Sequence, residues 1–188
     1  MTAHDKKALV SLLAKRSARR GSFILASGKQ SSLYIDARLT TMSPEGLSLI
    51  GPLGLDAIRN AQWAADSVGG LTLGADPIAY AISYASAHGA SPIRAFTVRK
   101  EAKAHGTGKL IEGPFSSGDR VVVVEDVITT GSSAARAVQA VRAAEGTVLG
   151  VLALVDRDEG GRESLEALGL SVVSLVTATD ILAEENQR

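Results

Sequence analysis

The chain has 188 residues, with 20 lysines and arginines against 20 aspartates and glutamates, a formal net charge of zero and a pI near 6.8. This balance provides no positive field that would hold nucleic acid or an anionic membrane, so neither is expected as a partner. The absence of cysteine excludes disulfides and thiolate metal sites. Neither a secretory-type N-terminus nor an apolar run of about 18 residues is present. We therefore expect a cytoplasmic protein that folds as one domain, 1–188.

The first forty residues or so predict a small N-terminal unit, which we name the hood. In Asp5–Arg20 the leucines recur at helical spacing and the cations lie largely off their stripe, which predicts an amphipathic helix ending at Gly21. Two short strands, Phe23–Leu25 and Leu33–Ile35, are predicted around the turn Ser27–Lys29. A hairpin placed before the main α/β unit is expected to cover a site.

The rest of the chain alternates between helical and strand patterns. Helices are predicted over Pro44–Asn60, Pro77–His88, Ser132–Glu145 and Arg162–Leu168, the first with Leu47, Ile50, Leu53 or Gly54, and Ile58 facing the core. Strands are predicted over Ser67–Leu73, Ile93–Arg99, the valine run from Val121, Thr147–Val155 and Leu170–Val176. Trp63 is expected to be a packing residue, and the polar tail from Glu184 is expected to fray. The alternation predicts an α/β fold with a mostly parallel sheet of about five strands flanked by helices.

The stretch Val121–Ala134, VVVVEDVITTGSSA, carries the strongest functional signal. Four successive valines without polar alternation indicate a parallel strand buried on both faces, whose functional end is its carboxyl end. There Glu125 and Asp126 are suited to accept hydrogen bonds from hydroxyl groups. The segment Thr129–Ser133 offers hydroxyls and backbone N–H groups at a helix start, which favours phosphate. The combination predicts a ribose 5-phosphate site; the alternative is an ordinary strand–turn–helix with solvated acids and capping hydroxyls.

This pattern resembles the phosphoribosyl diphosphate motif of type I phosphoribosyltransferases, in which four aliphatic residues precede an acidic pair and a T-x-G-S/T-like loop. The resemblance implies that Glu125 and Asp126 hold the ribose 2- and 3-hydroxyls and that Asp126 is catalytic. It also implies that the loop holds the 5-phosphate through Val127, Ile128, Thr129, Thr130, Gly131, Ser132 and Ser133.

A cationic segment, RKEAKAHGTGKLIEG, occupies 99–113. Three glycines and few apolar anchors predict that Gly106–Gly113 is a mobile loop. Positioned cations stabilise the negative charge that develops on a departing diphosphate, and a closed loop excludes water; the alternative is a solvated surface loop. The pattern R-K-E-x-K-x-H-G resembles the catalytic loop of orotate phosphoribosyltransferases. The resemblance implies diphosphate contacts for Arg99, Lys100, Lys103 and His105, with Lys103 and His105 catalytic and the loop reaching the neighbouring subunit's site.

Other segments resemble the same family. FILASGKQSSLYIDAR, Phe23–Arg38, resembles its N-terminal signature, which implies that Lys29 approaches ligand phosphates and that the backbone at Tyr34 and Ile35 borders the pyrimidine. For Lys29 an exposed turn lysine is the alternative. D-R-x-E-G-G at 156–161 resembles the family's orotate loop, which implies that Arg157 binds the orotate carboxylate together with Thr129. An ion pair with neighbouring acids is the alternative for that arginine.

One loop departs from the family pattern. Many relatives carry a diphosphate-contacting lysine after the strand that begins at Ser67, where this chain has Gly74-Ala75-Asp76. This departure either removes the contact or leaves it to backbone amides, which glycine allows to come close.

The resemblance spans about 23–161 and implies an orotate phosphoribosyltransferase of de novo pyrimidine (UMP) biosynthesis. It also implies a homodimer that shares its catalytic loop, with phosphoribosyl diphosphate and orotate as ligands. Mg²⁺ is implied through substrate oxygens, and no protein ligand is assigned to it. Two alternatives stay open. A purine phosphoribosyltransferase would share the central motif without the two orotate-family patterns, and a non-catalytic regulator that binds phosphoribosyl diphosphate would not need the cationic loop.

Overall fold

Helices and strands alternate along the chain in the predicted order, with differences in extent and with three additional short elements at 38–41, 111–112 and 178–185. The computed structural model describes residues 3–24, 30–101 and 109–186. The helices are α1 Ala3–Arg16, α2 Arg38–Thr41, α3 Pro44–Asn60, α4 Ala75–Ser86, α5 Ser132–Ala143, α6 Gly161–Glu166 and α7 Ala178–Glu185. The strands are β1 Ala18–Ile24, β2 Gln30–Ile35, β3 Ser67–Leu71, β4 Arg94–Val98, β5 Ile111–Glu112, β6 Arg120–Ile128, β7 Thr147–Asp156 and β8 Val172–Thr177.

The main sheet has the strand order β5-β4-β3-β6-β7-β8, and only β5 runs antiparallel to its neighbour. The predicted α/β class with a mostly parallel sheet is therefore confirmed. The sheet has six strands instead of about five, because Ile111 and Glu112 pair with Val98 and Thr97 inside the segment that was predicted to be a loop. The strand order reverses between β3 and β6, and ligands of open α/β sheets bind beside such a reversal, at the carboxyl ends of the strands.

The valine run forms the middle of the sheet. All four side chains, Val121 to Val124, are fully buried. Because successive side chains of a strand point to opposite faces, Val122 and Val124 join the core that contains α1, α3 and α4, while Val121 and Val123 join the core under α5. This two-sided burial fixes the position of β6 in the sheet, and with it the position of Glu125 and Asp126 near its carboxyl end.

The hood differs from its prediction at the end of its helix. α1 ends at Arg16, not at Arg20, because Ala18–Arg20 pair with Leu33–Ile35 in the β1–β2 hairpin. The Ser17 hydroxyl contacts the Thr40 hydroxyl at 2.7 Å, which fixes the crossover from helix to strand. The predicted turn at Ser27–Lys29 lies outside the described residues. The division into a single domain with a hood at about 1–40 stays a prediction.

The C-terminal segment forms a helix that was not predicted, and α7 includes Glu184 and Glu185 of the tail that was expected to fray; residues 187 and 188 lie outside the described residues. Thr177 accepts a hydrogen bond from the Asp180 N–H, and the Asp180 carboxylate accepts one from the Thr177 N–H, so a capping box starts α7. Ile181 anchors the helix in the core that also holds Leu9.

Two other packing predictions have different outcomes. Trp63 packs, partly buried, on the core as predicted, at the edge of the sheet where the strands begin; a Cβ at Gly150 would overlap its indole. Leu47 is 37% exposed, although it was predicted to face the core together with Ile50 and Leu53, which are buried. It lies instead on the outer side of α3.

Within 3–24, 30–101 and 109–186, no helix is both long and apolar enough to span a bilayer.

Candidate active site

Two adjoining cavities open at the carboxyl ends of β3 and β6, and together we name them the cleft. The larger has a volume of about 490 Å³ and the smaller about 250 Å³. Both are lined by Tyr34 and Ile35 of the hood and by Glu125, Val127 and Ser133 of the central motif. The larger continues along 128–132 to Arg157, and the smaller continues along 71–74 to Arg38 and Lys100. The hood hairpin therefore forms one wall of the cleft, as its position in the sequence predicts.

The larger cavity ends at the start of α5. Gly131 has a φ of +79°, which places the chain in the left-handed region before the helix begins at Ser132. The N-cap residue Gly131 has no side chain to cap α5, the Ser132 N–H donates to the Thr130 hydroxyl at a long 3.4 Å, and the first turn of α5 holds no acid. Its first N–H groups and the hydroxyls of Thr130 and Ser132, which contact each other at 3.2 Å, are suited to bind a phosphate.

The acidic pair differs in environment between its two members. β6 continues to Ile128, so Glu125 lies inside the strand and is only 7% exposed, whereas Asp126 is half-buried. The Glu125 Oε2 atom is buried and makes no hydrogen bond to any described residue. Burial, followed by the charge of Asp126, raises the pKa of Glu125 well above its ordinary value. One carboxylate oxygen of Glu125 is thus buried at the junction of the two cavities without a donor among the described residues.

Asp126 is held close to the loop that follows β3. One of its carboxylate oxygens accepts the N–H of Val127 at 2.9 Å. A Cβ at Gly74 would overlap the same carboxylate, so the absence of a side chain at position 74 is what lets the two segments approach each other. Asp76, in the first turn of α4, does not line the cleft. Its carboxylate is buried and accepts hydrogen bonds from the Thr72 and Thr97 hydroxyls at 2.7 and 2.9 Å.

Arg157 forms the far wall of the larger cavity. Its side chain is almost fully buried, and its Nη2 donates to the Leu33 carbonyl at 2.8 Å and to Glu159 at 2.6 Å. The Arg157 N–H also donates to the Ile128 carbonyl, which joins this loop to the central motif. The guanidinium therefore links the hood to the sheet at the point where Tyr34 and Thr129 also line the cavity.

Thirteen predicted site residues line the cleft: Tyr34, Ile35, Lys100, Glu125, Asp126, Val127, Ile128, Thr129, Thr130, Gly131, Ser132, Ser133 and Arg157. Arg99 lines neither cavity, because its Nε donates to Glu112 on the edge strand at 2.9 Å. The predicted contacts of Lys29, Lys103 and His105 lie outside the described residues. The structure thus brings together the residues predicted to bind the ribose, the 5-phosphate and the orotate, and it places Arg99 apart from them.

Sequence reasoning assigned no role to several cleft residues. Asp36 and Arg38 lie in the quoted hood signature, from which only Lys29, Tyr34 and Ile35 were selected, and Leu71–Leu73 were assigned to the strand end and the following glycine-interrupted loop without roles of their own. The only signal for the first pair was an acid and an arginine two residues apart after a hood strand. Over the described ranges, no group of three or more His, Asp or Glu side chains is arranged to hold a metal ion.

Comparison with protein-family models gave no match. Orotate phosphoribosyltransferase of Aquifex aeolicus (strain VF5) is 46% identical over 181 residues, covering 95% of this chain and 98% of the relative. The crystal structure of Mycobacterium tuberculosis H37Rv orotate phosphoribosyltransferase in complex with Fe(III) dicitrate has a TM-score of 0.82 at 45% identity, over 94% of this chain and 98% of that chain. The enzyme from that source in complex with 5-phospho-α-D-ribosyl 1-diphosphate has a TM-score of 0.78 at 39% identity, over 96% and 93%. The similarity therefore extends over nearly the whole chain.

Proposed function

Because the chain belongs to the orotate phosphoribosyltransferase family, we propose that it transfers ribose 5-phosphate from phosphoribosyl diphosphate to orotate. The products are orotidine 5-phosphate and diphosphate, in de novo pyrimidine synthesis. The observation that carries the proposal is the cleft, where a phosphate-binding helix start, two carboxylates and a buried arginine meet. A purine phosphoribosyltransferase ranks below it, because the chain carries both orotate-family patterns, at 99–106 and 156–161.

The roles within the cleft follow from the chemistry of its walls. The start of α5, with Thr129–Ser133, binds the 5-phosphate, and the two carboxylates at Glu125 and Asp126 accept the ribose hydroxyls. Arg157 binds the orotate carboxylate together with Thr129, and the pyrimidine ring lies along Tyr34 and Ile35. The cations assigned to the diphosphate are Lys29, Lys100, Lys103 and His105, whereas Arg99 is bound by Glu112 outside the cleft.

In the proposed reaction the bond between ribose C1 and the diphosphate oxygen breaks, and its electron pair leaves with the diphosphate. Positive charge grows on the sugar ring, and the orotate nitrogen forms the new bond from the opposite face as its N–H bond breaks and the proton passes to water. Asp126 holds the sugar in this alignment, and cations stabilise the leaving group. The protein acts by positioning and by neutralising charge, without a covalent intermediate.

Mg²⁺ is proposed as the metal because phosphate, carboxylate and water oxygens are the ligands it prefers. Glu125 and Asp126 are the oxygen donors that fit it in the cleft, and most other ligands would come from substrate and water. When bound, the ion neutralises charge on the diphosphate. Activity that is lost with a chelator and restored by Mg²⁺ would support this assignment.

The proposed homodimer has a candidate contact surface on the outer sides of α3 and α4. Leu47, Pro52, Tyr80 and Tyr84 line an apolar groove of about 590 Å³, and the Tyr84 side chain is 79% exposed. The Tyr80 hydroxyl contacts the Thr97 hydroxyl at 3.0 Å, and Thr97 donates to Asp76, which also binds Thr72 of the cleft. A subunit contact on this surface would adjoin the active site, as a shared catalytic loop requires.

Mixing two defective variants tests the shared loop. Lys103→Ala removes a loop cation and Asp126→Asn removes a ribose contact, so each homodimer should be nearly inactive. Random subunit exchange of equal amounts gives about half mixed dimers and makes about a quarter of all sites wholly normal, so activity should return. Mixed dimers confirmed on native gels without any recovery would mean that each loop serves its own subunit.

We also propose a cytoplasmic location, because a multiply charged phosphorylated substrate does not cross a lipid bilayer unaided. The test is cell fractionation, in which orotate-dependent activity should follow the cytosolic fraction.

The experiment that tests the activity follows the loss of orotate absorbance when phosphoribosyl diphosphate and Mg²⁺ are supplied. Adenine, hypoxanthine and uracil serve as control bases. Consumption of orotate alone supports the proposal, and consumption of a purine would favour the second-ranked enzyme. Binding of phosphoribosyl diphosphate without turnover of any base would favour a non-catalytic regulator.

A further inference from the structure

The smaller cavity lies where relatives place a lysine on the loop after β3, and in this chain that loop supplies no cation. Gly74 cannot carry a side chain without displacing the Asp126 carboxylate. Asp76 is buried and bound by two threonine hydroxyls. Because an anionic group in this cavity still requires positive charge, the charge must come from another wall.

Arg38 lines the same cavity from the hood side, and Lys100 also lines it. The Arg38 guanidinium is fixed by Asp36, with Nε to Oδ1 at 2.8 Å and Nη2 to Oδ2 at 3.0 Å, while the Arg38 N–H also donates to Oδ1. The Arg38 side chain is nevertheless 49% exposed, and none of the described residues accepts a hydrogen bond from its Nη1. The Nε and Nη2 edge of the guanidinium is therefore held by Asp36, and Nη1 remains available to a ligand.

Electrostatics agree with this placement. The Asp36 carboxylate is the main cause of a raised Arg38 pKa, with smaller contributions from Tyr34 and Asp126. The guanidinium is thus within electrostatic range of the proposed ribose carboxylate and stays charged at any physiological pH. A planar fork held on one edge suits phosphate oxygens at low entropic cost, because its orientation is set before the ligand binds.

We propose that Arg38 binds the diphosphate group of phosphoribosyl diphosphate in the smaller cavity, in place of a lysine from the loop after β3. Asp36 is the positioning residue that orients it. This inference rests on the proposed function, because it takes the diphosphate end of the substrate to lie beside Asp126. It extends that function by assigning a substrate contact to a hood residue.

The matched control is a second arginine with the same ion-pair geometry. Arg120 binds Asp66 through Nε at 2.9 Å and Nη2 at 2.8 Å, with its N–H also donating to the carboxylate, and its side chain is 50% exposed. It lies where β6 begins, at the edge of the sheet opposite the cleft. Arg120→Gln therefore removes an equivalent exposed ion pair without touching the proposed site.

The test compares two ligands by calorimetry without orotate. Phosphoribosyl diphosphate carries the diphosphate group, and ribose 5-phosphate lacks it. Arg38→Gln should weaken the first by about tenfold to a hundredfold and leave the second unchanged, because only one ligand loses a charge-assisted hydrogen bond. Asp36→Asn should give a smaller loss for the same ligand, and Arg120→Gln should change neither affinity.

Equal weakening of both ligands by Arg38→Gln would show that Arg38 only supports the hood, and unchanged affinities would exclude the contact. If that variant fails to fold, Arg38→Lys keeps the charge without the fork and should still weaken phosphoribosyl diphosphate selectively. The wild-type orotate assay separates the two levels of inference. Turnover by the wild type combined with normal binding by Arg38→Gln overturns this proposal alone, whereas absence of turnover overturns the proposed function.

Discussion

The acidic residues just before β3 and β6 are paired with arginines, whereas the two acidic residues near the carboxyl end of β6 have no arginine partner among the described residues. Where the strands begin, Asp66 is bound by Arg120, and Asp119 is bound by Arg94 at 2.6 Å and by the Ser116 N–H. Where β6 ends, Glu125 is buried with an oxygen that no described residue satisfies, and Asp126 contacts a bare glycine. Matched charges stabilise the first edge, while unmatched charges at the second are available to a ligand and reduce stability.

The largest contrast is expected from Asp126→Asn. This variant should lose about tenfold to a hundredfold in kcat/KM with little change in Tm, because a charged hydrogen bond contributes about 1.5–3 kcal/mol and about 1.4 kcal/mol is tenfold. The matched variant Asp119→Asn should do the reverse and lose stability while keeping activity. Steady-state kinetics and thermal unfolding of both variants check this. Unchanged turnover in folded Asp126→Asn would remove the ribose assignment.

Arg157→Lys tests whether the buried arginine in the wall of the cleft binds the orotate carboxylate. Lysine cannot bind a carboxylate bidentately, so KM for orotate should rise by about tenfold while KM for phosphoribosyl diphosphate stays within about twofold. Arg162→Lys is the control, because Arg162 is bound by Asp156, the Val172 carbonyl and Ser174 and lines neither cavity. That control should lower stability and leave both constants alone. An equal rise of the two constants in Arg157→Lys would exclude it as the carboxylate contact.

Glu125→Gln should raise stability at neutral pH. The folded-state pKa of Glu125 lies above its unfolded value near 4.5, so stability falls as the pH rises above about 4.5, and the loss is complete once the pH exceeds the folded-state pKa. Each pKa difference of one corresponds to about 1.4 kcal/mol, and each kcal/mol to about 2–4 °C in Tm for a chain of this size. The gain should shrink as the pH falls towards 4.5. Thermal scans between pH 5 and 8 that show a constant difference would contradict the prediction.

Asp66→Asn should have the smallest effect, and its pH dependence should have the opposite sign. Arg120 lowers the pKa of Asp66 to about 2, so the ionised acid contributes stability above its ordinary value of 3.8, and this contribution is lost as the pH falls towards about 2. Because the pair is exposed, the loss at neutral pH should stay below about 1 kcal/mol. Urea unfolding at pH 7 and pH 4 measures it, and a larger loss at pH 4 would refute the assignment.

Local sequence was sufficient for the features that depend on neighbouring residues. The valine run, the acidic pair and the loop before α5 were predicted because one strand, one turn and one helix start determine them. The predicted end of α1 was wrong, because the pairing of Ala18–Arg20 with β2 outweighs the helical pattern of these residues. The positions of Arg38 and Gly74 beside Asp126 could not be predicted, since they depend on how the hood and the loop after β3 meet at β6.

The single tryptophan of the sequence makes the contrast between the two edges practical to observe. Trp63 packs where the strands begin, against the core and Gly150, and it lines neither cavity of the cleft. Its emission should therefore report unfolding without direct interference from bound nucleotide or base. Intrinsic fluorescence of ligand-free samples then provides a stability readout for each variant beside the orotate absorbance assay.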